Sequence, residues 1–369
     1  MQKWVALYSF WILFGERAII DRTMAKSKFH LSRYPSDENA QPILIPRKDV
    51  AWEAKAVFNP SVVRDENVFR MLYRTYPDTL KQTAPRLTRP GFRFANQVSY
   101  IGYAEGRDGK SFVASDKPFI SPDTDYDRFG CEDPRITKFG DTFYITYTAI
   151  DAPLEDKNKK PNVRIALATT KDFVSVEKHG IIGPPARSKA SALFPELVNE
   201  KKIGLALTIS ADSTNSHVAV RYYESLEKLL QPSEKEWNDF LKNSKETALL
   251  GTDWWLHRGP ELGAPPIKTD RGWLFIYSAE SMSDTWTITA ALADINEPHK
   301  LIARASGYIL QAVMNYERDG LVPNVTFPSA AIIVDDELYV YYGAADTVIG
   351  LATCKLNDLL DYLENFKTI

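Results

Sequence analysis

The sequence predicts an all-β fold, a five-bladed β-propeller with a short helical insertion and a C-terminal helix. Three observations carry this. One layout of proline, apolar residues, polar turn and aromatic-rich alternating strand recurs five times. A further strand, usually alternating, follows each copy. Helical periodicity is confined to two short segments.

The five copies are "NPSVVRDENVFRMLYR" from Asn59, "DPRITKFGDTFYITYT" from Asp133, "FPELVNEKKIGLALTI" from Phe194, "PPIKTDRGWLFIYS" from Pro265 and "FPSAAIIVDDELYVYYG" from Phe327. Their prolines, Pro60, Pro134, Pro195, Pro266 and Pro328, lie roughly 60 to 75 residues apart. Polar "DEN", "FGD", "NEKK", "DRG" and "DDE" supply the hairpin turns. The third strands are "VSYIGYAEG", "VRIALATT", "HVAVRYY", "WTITAALAD" and "VIGLATCKL". A unit of three or four strands cannot bury both sheet faces alone, so such units stack as blades. A two-sheet sandwich is the competing architecture, but it does not account for the recurring proline-led start. Between units three and four, residues 232–244 ("PSEKEWNDFLKNS") predict a helix. Ser233 and Glu236 have capping-box spacing, and Trp237, Phe240 and Leu241 share a face. "NDLLDYLENF" predicts the C-terminal helix. The basic, proline-containing insertion "TYPDTLKQTAPRLTRPGFRFANQ" is expected to flank the mouth of the central channel.

Residues 1–28 read as an N-terminal extension, and 29–369 as a single propeller domain that carries the site. The start, "MQKWVALYSFWILFG", is too short to span a bilayer as a helix. It has the look of a signal h-region without a small-x-small cleavage site, and Met24 offers a second start. A cytoplasmic location is expected, with export left open. At 44% hydrophobic and 25% charged residues the chain is an ordinary globular protein, and its formal charge of −3 gives no field for nucleic acid. Cys131 and Cys354 are too few for a disulfide framework, leaving at most one bridge between them. Five scattered histidines lack metal spacing, and no glycine-rich nucleotide fingerprint occurs. Neither a metal nor a cofactor is expected, and no membrane partner.

In a propeller the first strand of each blade lines the central channel, so residues at those strand starts converge. The predicted set is Asn59, Glu132, Asp133, Arg135, Glu196, Pro265 and Ser329. Two adjacent acids and an arginine at one strand start must pair or repel, which shifts pKa values and marks a candidate site. Arg74, Lys189, Glu261, Ser278, Glu280 and Asp346 sit near the same end by pattern. Any one of these alone reads as a solvated strand end.

Taken together, "FNPSVVRDENVFRMLYR", "SYIGYAEGRDGKSF", "GCEDPRITKFGDTFYITYTA", "LFPELV", "GAPPIKTDRGWLFIYS", "YERDGLVPNVTFPSA" and "LYVYYGAADTVIGLA" resemble glycoside hydrolase family 130. That family comprises mannoside phosphorylases and mannosidases built on a five-bladed propeller. The resemblance implies that Asp133 is the general acid, protonating the glycosidic oxygen through the mannose 3-hydroxyl, in a reaction that inverts the anomeric centre. It implies that Asn59, Arg74 and Asp346 hold the sugar and that Arg135 orients the acid. Glu132 joins the sugar-binding set.

Family phosphorylases typically show a Lys before "LFP", a His-Arg pair ending the third-unit strand, and "YHG" ending the fourth. This chain keeps Lys189 but has Thr208 and Ile209, and then Ser278, at the other two places. Fewer cations should weaken binding of a phosphate dianion. An inverting hydrolase instead needs a carboxylate to activate water. Glu261 is the first candidate and Glu280 the second. Glu196 does not discriminate, since phosphorylases share it. The sequence therefore leads to an inverting β-mannoside hydrolase acting on short, β-1,2-linked substrates. The alternative is a phosphorylase, with His257 and Arg258 as a displaced phosphate site and inorganic phosphate as its partner. A non-catalytic sugar-binding propeller is the third reading. Oligomeric state is left open.

Overall fold

The computed structural model describes residues 29–84, 93–153, 161–199, 201–252, 256–282 and 285–367. The extension assigned to residues 1–28 lies outside the described residues, as does the middle of the basic insertion, 85–92.

The first strand, β1 (Ser32–Arg33), precedes the repeats. Blade one is β2 (Ala56–Asp65), β3 (Val68–Tyr76), β6 (Tyr100–Gly106) and β7 (Val113–Ala114). Within its insertion, β4 (Lys81–Ala84) and β5 (Arg93–Ala95) pair with each other. Blade two is β8 (Gly130–Phe139), β9 (Thr142–Ile150), β10 (Val163–Thr170) and β11 (Glu177–Ile181). Blade three has β12 (Ser188–Leu193), β13 (Ile203–Ile209) and β14 (His217–Tyr223). Two helices follow, α1 (Leu226–Leu230) and α2 (Glu234–Asn243). Blade four is β15 (Leu256–Leu262), β16 (Ile267–Thr269), β17 (Gly272–Ser281), β18 (Trp286–Ala293) and β19 (Leu301–Arg304). A turn of helix, α3 (Asn315–Arg318), leads to β20 (Thr326–Val334), β21 (Glu337–Ala344) and β22 (Val348–Lys355). The chain then forms α4 (Leu356–Glu364).

The five blades appear as predicted. The fifth is completed from the other end of the chain: β1 pairs antiparallel with β22, Ser32 opposite Thr353 and Arg33 opposite Ala352. A two-residue strand is too short to show alternation, so its pairing could not be read from the sequence. Both helices form where expected. Ser233 Oγ accepts the Glu236 N–H, one half of the capping box. The Glu236 side chain turns to Arg221, while Trp237 is buried and donates to the Ile182 carbonyl. Cys131 and Cys354 are free thiols.

The core explains why the middle strands are apolar throughout. In β17, Trp273, Phe275 and Tyr277 pack into a cluster shared with blade three, while Leu274 and Ile276 pack into one shared with blade five. In β13, Leu205 and Leu207 face blade two and Ala206 faces blade four. Period-two alternation is therefore present, but both faces meet a neighbouring blade. One apolar cluster fills each of the five gaps between blades. Fully burying a large apolar side chain contributes about 1.5–3 kcal/mol, and ring closure is what makes that burial available to the first and last blades.

Candidate active site

Every inner strand carries a β-bulge. Pairing slips by one residue between Phe58 and Ser61, Glu132 and Arg135, Lys189 and Ser191, Arg258 and Glu261, and Pro328 and Ala330. At a bulge the backbone turns and re-aims one side chain out of the pleat. Here the turning residue is Asn59 (φ 47°), Asp133 (φ 51°), Ala190 (φ 50°) or Gly259 (φ 97°) in the first four blades. Asn, Asp and Gly enter this left-handed region at the lowest cost. Proline follows in blades one, two and four, since it cannot supply a ladder N–H. Inner strands β2 and β8, β8 and β12, β12 and β15, and β20 and β2 pack against each other around the axis.

This corrects two expected positions. The "FPE" and "PPI" prolines lie outside the inner strands of blades three and four. Those strands are "SKASAL" and "LHRGPEL", and the axial positions are Ala190 and Gly259-Pro260. Glu196 is therefore not at the axis; its side chain is 46% exposed and pairs with Lys268. Pro265 falls in the link from β15 to β16. Ser329 is at its bulge as expected, fully buried.

The bulges of blades one and two make a tight polar knot. Asp133 Oδ1 accepts from Asn59 Nδ2 at 2.7 Å and from Arg74 Nη1 at 3.2 Å. Arg74 Nη2 reaches Glu132 Oε1 at 2.5 Å and also bonds the Tyr76 hydroxyl. The Arg74 guanidinium lies 4.8 Å from the ring centres of both Phe58 and Tyr76. Ser99 donates to Glu132 Oε1 at 3.0 Å, and Gln97 to the Tyr76 hydroxyl at 2.8 Å. Asp346 adds to the field holding Arg74 charged. Ser99, Tyr76 and Gln97 were not anticipated; they lie outside the repeated strand starts, and no spacing singles them out.

Arg135 meets Asp133 through the backbone and not through the carboxylate. Its Nη1 donates to the Asp133 carbonyl at 2.8 Å, and its Nε to the Gly263 carbonyl of blade four at 2.5 Å. It thus ties blade two across to blade four, and burial lowers its pKa to about 10.

A second group forms on blades three and four. Lys189 Nζ lies 3.4 Å from Glu261 Oε2 and 2.8 Å from Asp212 Oδ1. Arg187 reaches Asp212 Oδ2 at 2.7 Å. The Asp212 N–H donates to Glu261 Oε1 at 3.1 Å. Asp212 and Arg187 were missed because they stand in a loop and a strand lead-in. Arg258 Nε lies 3.4 Å from Glu280 Oε2, and Glu280 is fully buried. Where the family's phosphate-binding side chains were sought, Thr208 Oγ1 accepts the Leu262 N–H and Ser278 donates to the Thr287 carbonyl. Both hydroxyls are used to join strands.

The electrostatics split the acids. Burial favours the neutral form of Asp133, but Arg74, Arg135 and Lys189 outweigh it and hold the carboxyl below its ordinary value. Burial raises Glu132 against the pull of Arg74, helped by the adjacent Asp133 charge. Burial likewise raises Glu261 against Lys189, with Asp212 adding repulsion. Asn59 Oδ1, Arg135 Nη2 and Ser329 Oγ are buried without a hydrogen-bond partner among the described residues. Such groups are suited to a polyhydroxylated ligand.

Gly343 of "YYGAAD" supports the knot from blade five. A Cβ there would stand 2.3 Å from Asn59 Oδ1 and 2.9 Å from Asn59 N. Gly343→Ala is expected to push Asn59 off Asp133, lowering kcat/KM on a mannoside substrate with a stability cost of about 1–3 kcal/mol. Unchanged kinetics in that variant would show that the Asn59 contact does not matter.

Residues 38–365 match the profile of a family described as β-1,4-mannooligosaccharide phosphorylase. The chain is 32% identical over 325 residues to a 1,2-β-oligomannan phosphorylase of Thermoanaerobacter sp. (strain X514), covering 86% of this chain and 96% of that protein. It is 32% identical over 312 residues to a β-1,2-mannobiose phosphorylase of the same organism, covering 85% and 94%. Its fold is similar to that of β-1,2-mannobiose phosphorylase from Listeria innocua, solved with β-1,2-mannobiose. The TM-score is 0.71 at 25% identity, covering 91% of this chain and 99% of that one. Together with the five-bladed fold, this places the chain in glycoside hydrolase family 130.

Proposed function

We propose that the protein is an inverting β-mannoside phosphorylase acting on β-1,2-linked mannosides. The observation that carries this is the 32% identity, over nearly the full length of both chains, to a 1,2-β-oligomannan phosphorylase. In the reaction a phosphate oxygen attacks the anomeric carbon from the face opposite the leaving sugar. The C1–O bond breaks, and the departing oxygen takes a proton that originates on Asp133, relayed through the mannose 3-hydroxyl. The products are α-mannose 1-phosphate and a mannoside shortened by one residue. Asn59 and Arg74 fix the Asp133 carboxyl, and Lys189 supplies positive charge close enough to lower its pKa. Hydrolysis, the leading expectation from the sequence, thereby becomes the second reading. It keeps specific support: Thr208 and Ser278 are tied into the sheet, and blade four brings two buried carboxylates, Glu261 and Glu280.

The two readings separate in one experiment. β-1,2-Mannobiose is incubated with the protein with and without inorganic phosphate. Mannose 1-phosphate in the phosphate arm, with little turnover in the other, is the expected result. Free mannose as the sole product in both arms would replace phosphorolysis with hydrolysis. Binding of mannobiose without turnover in either arm would favour a sugar-binding propeller.

A further inference from the structure

Asp212 stands on the loop from β13 to β14 in the left-handed region, φ 63°, just after Ser210 at φ 54°. The loop is pinned. Ser213 Oγ donates to the Ser210 carbonyl at 2.6 Å, and Ser216 Oγ to the Pro260 carbonyl of the blade-four bulge at 2.8 Å. The Asp212 N–H is fixed on Glu261. Its carboxylate therefore meets the two cations in a set geometry, Oδ1 on Lys189 at 2.8 Å and Oδ2 on Arg187 at 2.7 Å. Two anionic oxygens, each held by one cationic nitrogen, reproduce how two oxygens of a phosphate would be held. The seat is open to solvent, since the Asp212 side chain is 34% exposed, that of Arg187 46% and that of Lys189 21%. Its inner edge is Lys189, which stands at the blade-three bulge directly before Ala190.

We propose that Asp212 is the residue that sets acceptor affinity: its carboxylate occupies the anion seat between Arg187 and Lys189, and inorganic phosphate binds there by displacing it. This rests on the phosphorylase reading above. With Asp212 in place, both cations are already neutralised, so phosphate gains only the difference between its own contacts and those it replaces. Swinging the loop side chain outward opens the seat while Lys189 stays in place. Asp212 is a specificity-determining residue, not a proton donor or acceptor in the reaction.

The test compares Asp212→Asn with the natural protein. The KM for phosphate in phosphorolysis is expected to fall about tenfold or more, a gain of about 1.4 kcal/mol per factor of ten. The KM for β-1,2-mannobiose should be unchanged. Titration calorimetry with inorganic phosphate alone should show the same tightening without any turnover. A purely structural role would move the unfolding midpoint and both KM values together, or leave the phosphate KM alone; either result overturns the proposal. If Asp212→Asn does not fold, Arg187→Gln decides. That side chain is half exposed, and its loss should raise the phosphate KM several-fold with mannobiose KM unchanged; no change overturns the proposal. If the natural protein forms mannose 1-phosphate but neither variant changes phosphate affinity, the acceptor role fails and the phosphorylase reading stands. If it releases only mannose and no variant binds phosphate, both fail.

Discussion

Under the proposed function, Asp133→Asn is expected to abolish turnover of β-1,2-mannobiose, reducing kcat/KM by about 10³–10⁴-fold, near the upper end of what a general acid contributes, while the propeller stays folded. The substitution is close to isosteric. An amide oxygen at this position still accepts from Asn59 Nδ2, and Arg74 keeps Glu132 and Tyr76 as partners. The fold loses part of one charge-assisted interaction, about 1–3 kcal/mol, and the chemistry loses its proton source. A sign follows for pH. The field of Arg74, Arg135 and Lys189 holds the Asp133 carboxyl below its ordinary value of 3.8 in the free protein. A general acid must be protonated, so kcat/KM, which reports the free protein, should rise as pH falls toward that range. A phosphate dianion bound near Lys189 offsets the local positive charge and favours the protonated carboxyl, so the acidic group seen in kcat should titrate at higher pH than the one seen in kcat/KM. Stability runs the other way. A carboxyl with a depressed folded-state pKa stabilises the fold above its unfolded value and loses that contribution as pH falls through the folded value. The stability gap between natural protein and Asp133→Asn should therefore close on acidification. Near-normal turnover by Asp133→Asn would remove Asp133 from the chemistry.

The strands of all five blades could be read from the sequence because their alternation survives burial on both faces. The axial positions were only partly legible. "NPS", "DPR" and "FPS" mark the bulges of blades one, two and five, but blade four uses "GPE" and blade three uses Ala190 with no proline. Proline suits a bulge and a loop equally, so Pro195 and Pro266 imitated the repeat from outside the inner strands. A better signal was a residue tolerant of left-handed backbone directly before proline, which Gly259-Pro260 satisfies; it would have put Glu261 at the axis and Glu196 on the surface without appeal to a family. Blade three, without a proline, and blade five, whose proline follows Phe327, would still have been missed, and Gly183-Pro184 satisfies the signal outside any strand. Asp212 and Arg187 were illegible for a different reason: their partners come from other segments, and only the folded ring brings those segments together.

The same holds for a buried contact at the closure of the ring, and it carries the second large effect. Glu317→Ala should lower unfolding stability by about 3–5 kcal/mol, the cost of breaking a buried ion pair from one side, read as a shift of the urea midpoint. Glu317 is fully buried on α3, 284 residues away in sequence from its cation. Its carboxylate takes Arg33 Nε at 2.7 Å and Nη2 at 3.0 Å. It also accepts the Tyr342 hydroxyl at 2.8 Å and the N–H groups of Val313 and Met314 at 2.8 and 2.9 Å. Arg33 lies in β1, so this one carboxylate joins the strand that closes the ring to the last blade and to the segment leading into it. Its removal leaves two backbone donors without their acceptor, cuts the guanidinium back to its contacts with Asp37 and the Gln311 carbonyl, and leaves the Tyr342 hydroxyl only Tyr316. Arg33→Met should cost less, because the carboxylate keeps its three other donors. The two losses should not add in the double variant, since they share a partner. If Glu317→Ala costs less than about 1 kcal/mol, the value of an exposed pair, ring closure does not depend on this contact, and backbone pairing of β1 with β22 holds the propeller shut by itself.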